Sequence, residues 1–305
     1  MMKGLELSQL YYDEIIRPFL ETRAQELTGR IAVGLVGEGS ECFGYDDELS
    51  RDHDWGARVC LWLNQTDYQN FGNALAQQLK ELPTIFRGYP VCWSPGRSGV
   101  LEISTFFKKY LRKGTAPETV GEWLSIPEHY LATASNGGVF ADPAGEFLAI
   151  WNDLRQGYPE DIRLKKLAAR CMVIGQAGQY NYPRLVRRDD LVAAQLALNE
   201  FIHAVISAAY LLNNRYTPFY KWMNRDLKEL PVLGAEISSR LEHLIRTEDK
   251  QDEIEDICGL LIREFHQQGI SDQSETYMVE QGNRIHEHIR LEALRNTDPW
   301  MGELV

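Results

Sequence analysis

The amino-acid sequence predicts an α+β protein in which a small mixed-sheet domain is followed by a mostly helical domain. Short apolar runs that end in glycine or proline, the pattern of strands in a sheet, are confined to the first part of the chain. After the segment RKGTAPET, apolar residues recur at helical spacing and prolines separate the segments. Since a domain usually has about 150 residues, a chain of 305 residues corresponds to two domains. We predict one domain over residues 1–114 and a second over residues 115–305.

The first predicted domain contains two long helices and four strands. Leu10, Ile15 and Phe19 recur at helical spacing, and Pro83 stops the second helix. The run IAVGLVG predicts a buried strand, which leads into a turn and a short helix over 38–47. The long helices are predicted over 5–28 and 66–81, and the strands over 31–37, 54–63, 89–93 and 99–104. Because the last two strands flank the turn SPGRSG, we expect them to pair with each other.

The second predicted domain is almost entirely helical. Its helices are bounded by prolines such as Pro127, Pro159 and Pro231. They are predicted over 118–125, 127–134, 144–156, 160–180, 187–213, 218–229, 235–247, 251–268 and 275–294.

Composition limits the possible functions. The net charge of -12 argues against a general nucleic-acid binder, because phosphate backbones select basic surfaces. Five scattered cysteines without a CxxC pair suit a reducing compartment and give no zinc framework. The N-terminus lacks the apolar core of a signal peptide, and four polar residues interrupt the apolar stretch 191–212. We expect a cytoplasmic protein, monomeric or homodimeric, without a membrane span.

A pair of aspartates one residue apart gives the clearest chemical signal. Side chains two positions apart in a strand face the same side, so Asp52 and Asp54 are expected to project together. Two adjacent carboxylates repel each other, and a bound cation makes the arrangement favourable. Mg²⁺ fits because it prefers carboxylate and phosphate oxygens. Glu102, within the apolar segment VLEIS, is the candidate third carboxylate of a two-metal site.

The turn Gly37-Glu38-Gly39-Ser40 precedes this pair. Glycines let the backbone approach a ligand, and free amides at a helix start attract phosphate. Gly37, Gly39 and Ser40 are therefore the candidate nucleotide-binding residues. A simpler interpretation is a solvated acidic loop over 46–54, with Ser40 as a helix cap. The EF-hand order of acids and the GxxxxGK[ST] motif are both absent.

These residues resemble a known family. Gly39-Ser40, Asp52-x-Asp54 and Glu102 are similar to the motif of the nucleotidyltransferases of the DNA polymerase beta superfamily. That superfamily includes the aminoglycoside and lincosamide nucleotidyltransferases and the antitoxin-type AMP transferases of bacteria. The strings GSECFGYDDELSRDHDWG, TFFKKYL and RYTPFYKW resemble an uncharacterised bacterial group within it, a domain of unknown function. Glu38 departs from the pattern, since an apolar residue usually precedes the Gly-Ser pair.

The resemblance implies a site and a reaction. Asp52, Asp54 and Glu102 would bind two Mg²⁺ ions beside ATP or another NTP. The helical domain would bind the acceptor, and its lysine for the triphosphate corresponds to Lys221. We expect transfer of a nucleoside monophosphate, AMP by preference, to a hydroxyl of a small molecule. The alternatives are an enzyme that nucleotidylates protein or tRNA, and a non-catalytic nucleotide-binding module.

Two segments of the helical half carry further candidates. Gln195, Asn199, His203 and Ser207 are four residues apart, with Glu200 beside them, so they form a polar stripe on one helix face. Glu200 or His203 in this stripe is a candidate proton acceptor for the substrate hydroxyl. The alternative is that the residues of this stripe are hydrogen-bonded polar residues of the core, or are buried against another helix.

The segment NRYTPFYKWMNR combines aromatic and basic side chains. Tyr220 is a candidate for stacking on a nucleobase, and Lys221 for charge neutralisation at the triphosphate. Trp222 is assigned with Glu200 and His203 to the acceptor site, with core packing as its alternative. A basic run is expected to be a solvated face, with RNA contact as the less favoured interpretation. It consists of Arg163, Lys165, Lys166 and Arg170, followed by Arg184, Arg187 and Arg188.

Overall fold

The structure, a computed structural model, describes residues 2–51 and 55–302. A small mixed sheet and many helices confirm the predicted α+β class. The chain forms two compact units. The first consists of Met1–Pro117 and Tyr130–Gln156, and the second of Glu118–His129 and Gly157–Val305.

The first unit is built on a four-stranded sheet. The strands of the chain are β1 (Ala32–Leu35), β2 (Cys60–Leu63), β3 (Ile85–Phe86), β4 (Tyr89–Pro90), β5 (Gly99–Glu102) and β6 (Gly138–Ala141). The order in the main sheet is β5-β2-β1-β6, and β3 and β4 form a separate antiparallel pair. β1 is antiparallel to both of its neighbours, whereas β5 is parallel to β2. Residues 130–156 belong to this unit because β6 pairs with β1.

Three strand predictions are wrong. The expected pairing of 89–93 with 99–104 is replaced by the β3–β4 and β2–β5 pairs, because helix α3 (Gln65–Leu79) carries the chain back so that β5 lies parallel to β2. The strand expected from residue 54 begins at Cys60, although Ala57 makes an isolated bridge to Val91. β6 lies in the part of the chain that was predicted to be helical.

Helices cover both faces of the sheet. On one face, Leu61 and Val100 pack in a core with α3 and with α1 (Gly4–Tyr11) and α2 (Arg17–Arg23), which a π-helical turn over Tyr12–Ile16 connects. Trp62, the next residue of β2, points to the opposite face. There it stacks on Phe147 of α7 (Glu146–Arg155), with ring centroids 3.9 Å apart. It also meets Phe106 of α4 (Ile103–Leu111) edge-on at 5.4 Å.

The second unit is helical in the part of the chain that the structure describes. Its helices include α5 (Val120–Ser125), the start of α6 (Glu128–Ala134), α8 (Glu160–Val173), α9 (Tyr182–Arg187), α10 (Leu191–Leu212), α11 (Tyr220–Leu227), α12 (Gly234–Arg246), α13 (Lys250–Gln267), α14 (Met278–Glu287) and α15 (Glu292–Arg295). The helix predicted over 160–180 continues from α8 as a π-helical segment, Ile174–Asn181. The helix predicted over 187–213 starts later, because the Asp190 side chain caps α10 by accepting from the Ala193 amide at 3.2 Å.

Helix α10 is long and apolar enough to cross a membrane by length and composition, with a mean hydropathy of 1.5 in its most apolar window. Half of that window is buried inside the protein. From Ala204 to Leu212 the helix is buried without interruption. This is the environment of a core helix.

Candidate functional site

The Gly37–Ser40 turn leaves the C-terminal end of β1. Both Gly37 and Gly39 have positive φ angles, +119° and +131°, which side chains of L-residues rarely allow. Asn136 holds the turn in place through two hydrogen bonds of 2.9 Å, one from the Gly37 amide and one to the Gly37 carbonyl. Because β1 and β2 are antiparallel, the turn lies at the end of the sheet where β2 begins.

A buried ion pair lies directly beneath the turn. The Arg58 guanidinium, only 1% exposed, pairs with the Glu41 carboxylate and donates to the Glu38 carbonyl at 2.9 Å. Burial alone would lower the pKa of Arg58, but the negative charge of Glu41, the nearby Cys42 and Cys60 and the hydrogen bond to Glu41 together outweigh it and raise that pKa. Arg58 therefore stays charged and fastens the chain before β2 to the turn.

Glu38 points away from this pair and meets two other cations. Its carboxylate lies 2.6 Å from the Lys109 Nζ and 3.4 Å from the Arg97 Nε. All three side chains are partly exposed, between 34% and 42%. Glu38 therefore brings two positive charges to the turn.

Ser40 is followed by a single 3₁₀ turn, Glu41–Phe43, in place of the expected short helix over 38–47. The Ser40 carbonyl accepts from the amides of Phe43 and Tyr45, at 3.2 and 2.8 Å. The Ser40 hydroxyl is partly exposed and makes no hydrogen bond within the described ranges 2–51 and 55–302. A hydroxyl in this position is available to a ligand, although a three-residue turn supplies little of the dipole of a full helix.

Asp52 and Asp54 lie outside the described residues, so their convergence remains a prediction. The residues on either side of them are well anchored. The Arg51 guanidinium lies 4.2 Å from the centre of the Trp55 ring. The Trp55 Nε1 donates to buried Asp46 at 3.1 Å, and the Gly4 amide donates to the same oxygen at 2.8 Å. Asp46 is thus a buried hydrogen-bond acceptor, which contradicts its assignment to a solvated loop.

The structure does not bring Glu102 to the Gly37–Ser40 turn. Glu102 was expected in the middle of a strand, but it is the last residue of β5, and Thr105 donates to its carboxylate. In the parallel β2–β5 pair it lies beside Leu63, five residues beyond Arg58. At about 3.3 Å per strand residue, this places Glu102 roughly 16 Å along the sheet from the turn.

Gly39 packs closely against the Arg58–Glu41 ion pair. A Cβ atom on Gly39 would lie 2.6 Å from the Arg58 Nη2 and 2.6 Å from both Glu41 oxygens. Because Gly39→Ala also strains a positive φ angle, we expect a loss of about 2–4 kcal/mol in the free energy of unfolding, measured by urea titration. Gly44→Ala is the matched control, since Gly44 has a φ of +73° and a Cβ atom there would have no neighbour within 4 Å. Equal losses in the two variants would contradict this account.

In the second unit, two predicted residues meet at one cavity. His203 and Tyr220 line a cavity of about 280 Å³, together with Glu128, Arg170 and Thr217. His203 is exposed on α10, and the Tyr220 ring is 71% exposed. The cavity therefore combines an accessible imidazole and an aromatic ring with a buried carboxylate that the sequence did not reveal.

The buried carboxylate, Glu128, is held by a network of hydrogen bonds and charges. The Arg170 Nη2 lies 2.9 Å from the Glu128 Oε1, and the Lys166 Nζ lies 3.8 Å from it. Ser207 donates to the Oε2 at 3.0 Å, and Thr217 also donates to that oxygen. Burial alone would raise the pKa of Glu128, but Arg170, Lys166 and the two hydroxyls lower it to about 2.

The remaining predicted residues of this unit lie on its surface. Glu200 and Lys221 are exposed, and Trp222 is half-buried. The Lys221 Nζ lies 4.8 Å from the centre of the Trp222 ring, an intramolecular cation–π contact. Neither Glu200 nor these two residues line the cavity at His203.

The expected solvated basic face is wrong for Arg163, Lys165 and Lys166, whereas Arg184, Arg187 and Arg188 are exposed. Lys165 and Lys166 are completely buried, and Arg163 is 8% exposed. Arg163 forms two hydrogen bonds with Glu160, at 2.8 and 2.9 Å. Lys165 donates to the Asp298 carbonyl. The buried residues 163, 165 and 166 are therefore part of the helical core and offer no surface to RNA. The spacing of Lys166 and Arg170, four residues apart on one helix face, was the signal for a shared buried acid.

No group of three or more His, Cys, Asp or Glu side chains is positioned to hold a metal ion within the described ranges 2–51 and 55–302. The predicted metal ligands Asp52 and Asp54 fall in the gap between those ranges.

The chain has a match to a family model and a similarity to a solved structure. The model of a family described as a domain of unknown function (DUF4037) matches residues 123–223. A solved structure, that of a nucleotidyltransferase-like protein from Exiguobacterium sibiricum, is similar with a TM-score of 0.38 and 12% identity. That alignment covers 89% of this chain and 79% of the other. No curated protein matches the chain. The matched segment 123–223 includes the whole Glu128 network.

Proposed function

We propose that this protein is a Mg²⁺-dependent nucleotidyltransferase that moves AMP from ATP to a hydroxyl of a small molecule and releases pyrophosphate. The observation that carries the proposal is the hydrogen bond from the Arg58 Nη2 to the Glu38 carbonyl, at 2.9 Å. It fastens the chain four residues after Asp54 to the Gly37–Ser40 turn. The relation to aminoglycoside and lincosamide nucleotidyltransferases is part of the same proposal.

In this reaction, the turn and its cations bind the triphosphate. The Ser40 hydroxyl donates to a phosphate oxygen, and Lys109 and Arg97 neutralise its negative charge. Glu38 must exchange its place with the phosphate, which costs little because exposed ion pairs contribute about 0–1 kcal/mol. The acceptor oxygen attacks the α-phosphorus, the bond from that phosphorus to the bridging oxygen breaks, and pyrophosphate leaves with the bond electrons.

The donor set fits Mg²⁺, because Asp52 and Asp54 supply hard carboxylate oxygens one residue apart. When bound, Mg²⁺ would neutralise the charge that develops on the phosphates. Glu102 has no part in this proposed site because it lies at the other end of β2 and β5.

The second unit is proposed to bind the rest of the substrates. Tyr220, whose ring is largely exposed, would stack on the nucleobase, and Lys221 would meet phosphate charge. Glu200, His203 and Trp222 would contact the acceptor, with the exposed His203 imidazole taking the hydroxyl proton. The net charge of -12 favours a cationic small molecule as the acceptor. We assign this activity to the cytoplasm and to a monomer or homodimer.

A second candidate is a nucleotide-binding module without turnover. The separation of Glu102 from the turn favours it, since it leaves two predicted carboxylates where a two-metal site needs three.

The test is to incubate the protein with ATP labelled at the α-phosphate, Mg²⁺ and a small-molecule extract. We expect pyrophosphate release that a chelator abolishes, with the label in the small-molecule fraction. Label in a protein or RNA band would contradict a small acceptor. Calorimetric binding of ATP without pyrophosphate release in any extract would establish the binding module and overturn the enzyme.

A further inference from the structure

Strand β5 lies at the edge of the sheet, and one of its two sides is unpaired within the described part of the chain. The Gly99 amide donates to the Val59 carbonyl at 2.8 Å, so the main-chain groups of Gly99 point toward β2. Successive residues of a strand alternate in the direction of their N–H and C=O groups. The N–H and C=O of Val100 therefore point outward, away from β2. An outward-pointing pair of this kind is a template for another strand.

The outward edge of β5 lies in a groove rather than on open surface. Helix α3 packs on one face of the sheet through Leu75 and Leu79, and α4 packs on the other face through Phe106. The two helices rise on either side of the strand edge and enclose a groove of about 850 Å³. Residues 98–102 all line it, so the groove follows the whole length of β5. A strand of four residues spans about 13 Å, which fits a short extended peptide.

The charge of the groove is positive in a protein whose net charge is -12. Lys80 lies at its α3 side and Lys108 at its α4 side, where Lys109 is also present but is paired with Glu38. All three lysines are exposed. Glu102 is the acid among the lining residues, and its carboxylate already accepts a hydrogen bond from Thr105. A ligand with negative charges is therefore favoured over a neutral or basic one.

We propose that this groove binds an extended acidic peptide of a partner protein as a fifth strand beside β5. Main-chain hydrogen bonds to Val100 would fix its register, while the lysines on the two sides of the groove would favour acidic side chains and the apolar walls would accept the apolar side chains between them. A second copy of this chain is a poor occupant, because pairing two β5 edges would bring Lys80 and Lys108 of each copy together. This inference does not depend on the proposed transfer reaction.

The probe is a fluorescein-labelled peptide, Glu-Val-Glu-Val-Glu, whose binding is measured by fluorescence anisotropy. We expect saturable binding, and no binding of the matched peptide Lys-Val-Lys-Val-Lys. Replacing both Lys80 and Lys108 by glutamate is expected to weaken binding at least tenfold. Because both side chains are exposed, this double variant should fold normally.

Two variants of Val100 separate strand addition from simple charge attraction. Val100→Pro removes the outward N–H but no hydrogen bond to β2, whereas Val100→Ala keeps that N–H. We expect Val100→Pro to abolish binding and Val100→Ala to retain most of it. Equal binding by these two variants, equal binding of the two peptides, or no binding of the acidic peptide would each overturn the proposal. Dimerisation of the free protein that the acidic peptide fails to disrupt would overturn it in favour of a second copy.

Discussion

Replacing Asp52 by asparagine should reduce the rate of pyrophosphate release by about 1000-fold or more, because removing one anionic ligand from a catalytic Mg²⁺ site costs roughly 4 kcal/mol of transition-state stabilisation. Asp54→Asn should have a similar effect. Both variants are expected to keep the urea unfolding midpoint of the parent protein. The measurement is the Mg²⁺-dependent rate of pyrophosphate release at saturating ATP.

Two controls make this result specific. Glu48→Gln removes an exposed acid from the same segment of the chain and should leave the rate unchanged. Glu102→Gln should also retain most of the activity, since Glu102 lies beside Leu63 at the far end of β2. Full activity in Asp52→Asn would contradict the proposed site. A loss of activity in Glu102→Gln as large as in Asp52→Asn would contradict the location of the proposed site at the Gly37–Ser40 turn.

Replacing Glu128 by glutamine should lower the free energy of unfolding by about 3–5 kcal/mol, because it leaves buried cations without their counter-charge. Arg170 and Lys166 both face the Glu128 carboxylate, with side chains 15% and 0% exposed. The measurement is urea denaturation at neutral pH. Glu242→Gln is the control, since that side chain is 46% exposed and its partner Lys228 is 50% exposed, so their ion pair should contribute little to stability. Equal losses in the two variants would contradict the structural role of Glu128.

The same carboxylate predicts a dependence of stability on pH. Its pKa is lowered from 4.5 to about 2 in the folded protein. A carboxylate whose pKa is lowered by folding stabilises the folded state at a pH above its pKa in the unfolded chain. This stabilisation is lost as the pH falls toward its pKa in the folded protein. The loss between pH 4.5 and pH 2 amounts to about 3 kcal/mol. The Glu128→Gln variant should lack this part of the decrease in the free energy of unfolding at acid pH.

The sequence predicted what depends on local pattern. The runs at β1 and β2, the helical spacing of α3 and the glycine turn after β1 are all visible in neighbouring residues, because periodicity reports which side of an element is buried. The position of β5 was not visible. The turn SPGRSG suggested a hairpin, whereas a crossover through α3 placed β5 parallel to β2. β6 was not predicted, because a strand of four residues is too short to show a clear alternation of apolar and polar residues.

In the candidate site too, features formed by neighbouring residues were predicted, and features formed by distant residues were not. Gly39 and Ser40 are recognisable from spacing alone, and their turn is in the structure. The Glu128 network was missed because its members are far apart in the chain, with Arg170 at 42 residues and Thr217 at 89 residues from Glu128. Glu128 follows Pro127 at the start of α6, where an acidic residue is common, so its sequence context does not mark it as a buried carboxylate. Long-range partners of this kind are fixed by tertiary packing, which no local window contains.

The return of residues 130–156 to the first unit sets the order in which that unit is completed during synthesis. When residue 117 leaves the ribosome, β1 still has an open side, and Trp62 lacks the Phe147 ring on which it stacks. The nascent sheet must therefore wait for about twenty-five further residues before its last strand arrives, a few seconds at ordinary translation speeds. During that interval the open side of β1 is exposed to pairing with other chains. Synthesis of the segment up to Arg155 supplies β6 for the open side of β1 and the Phe147 ring for Trp62.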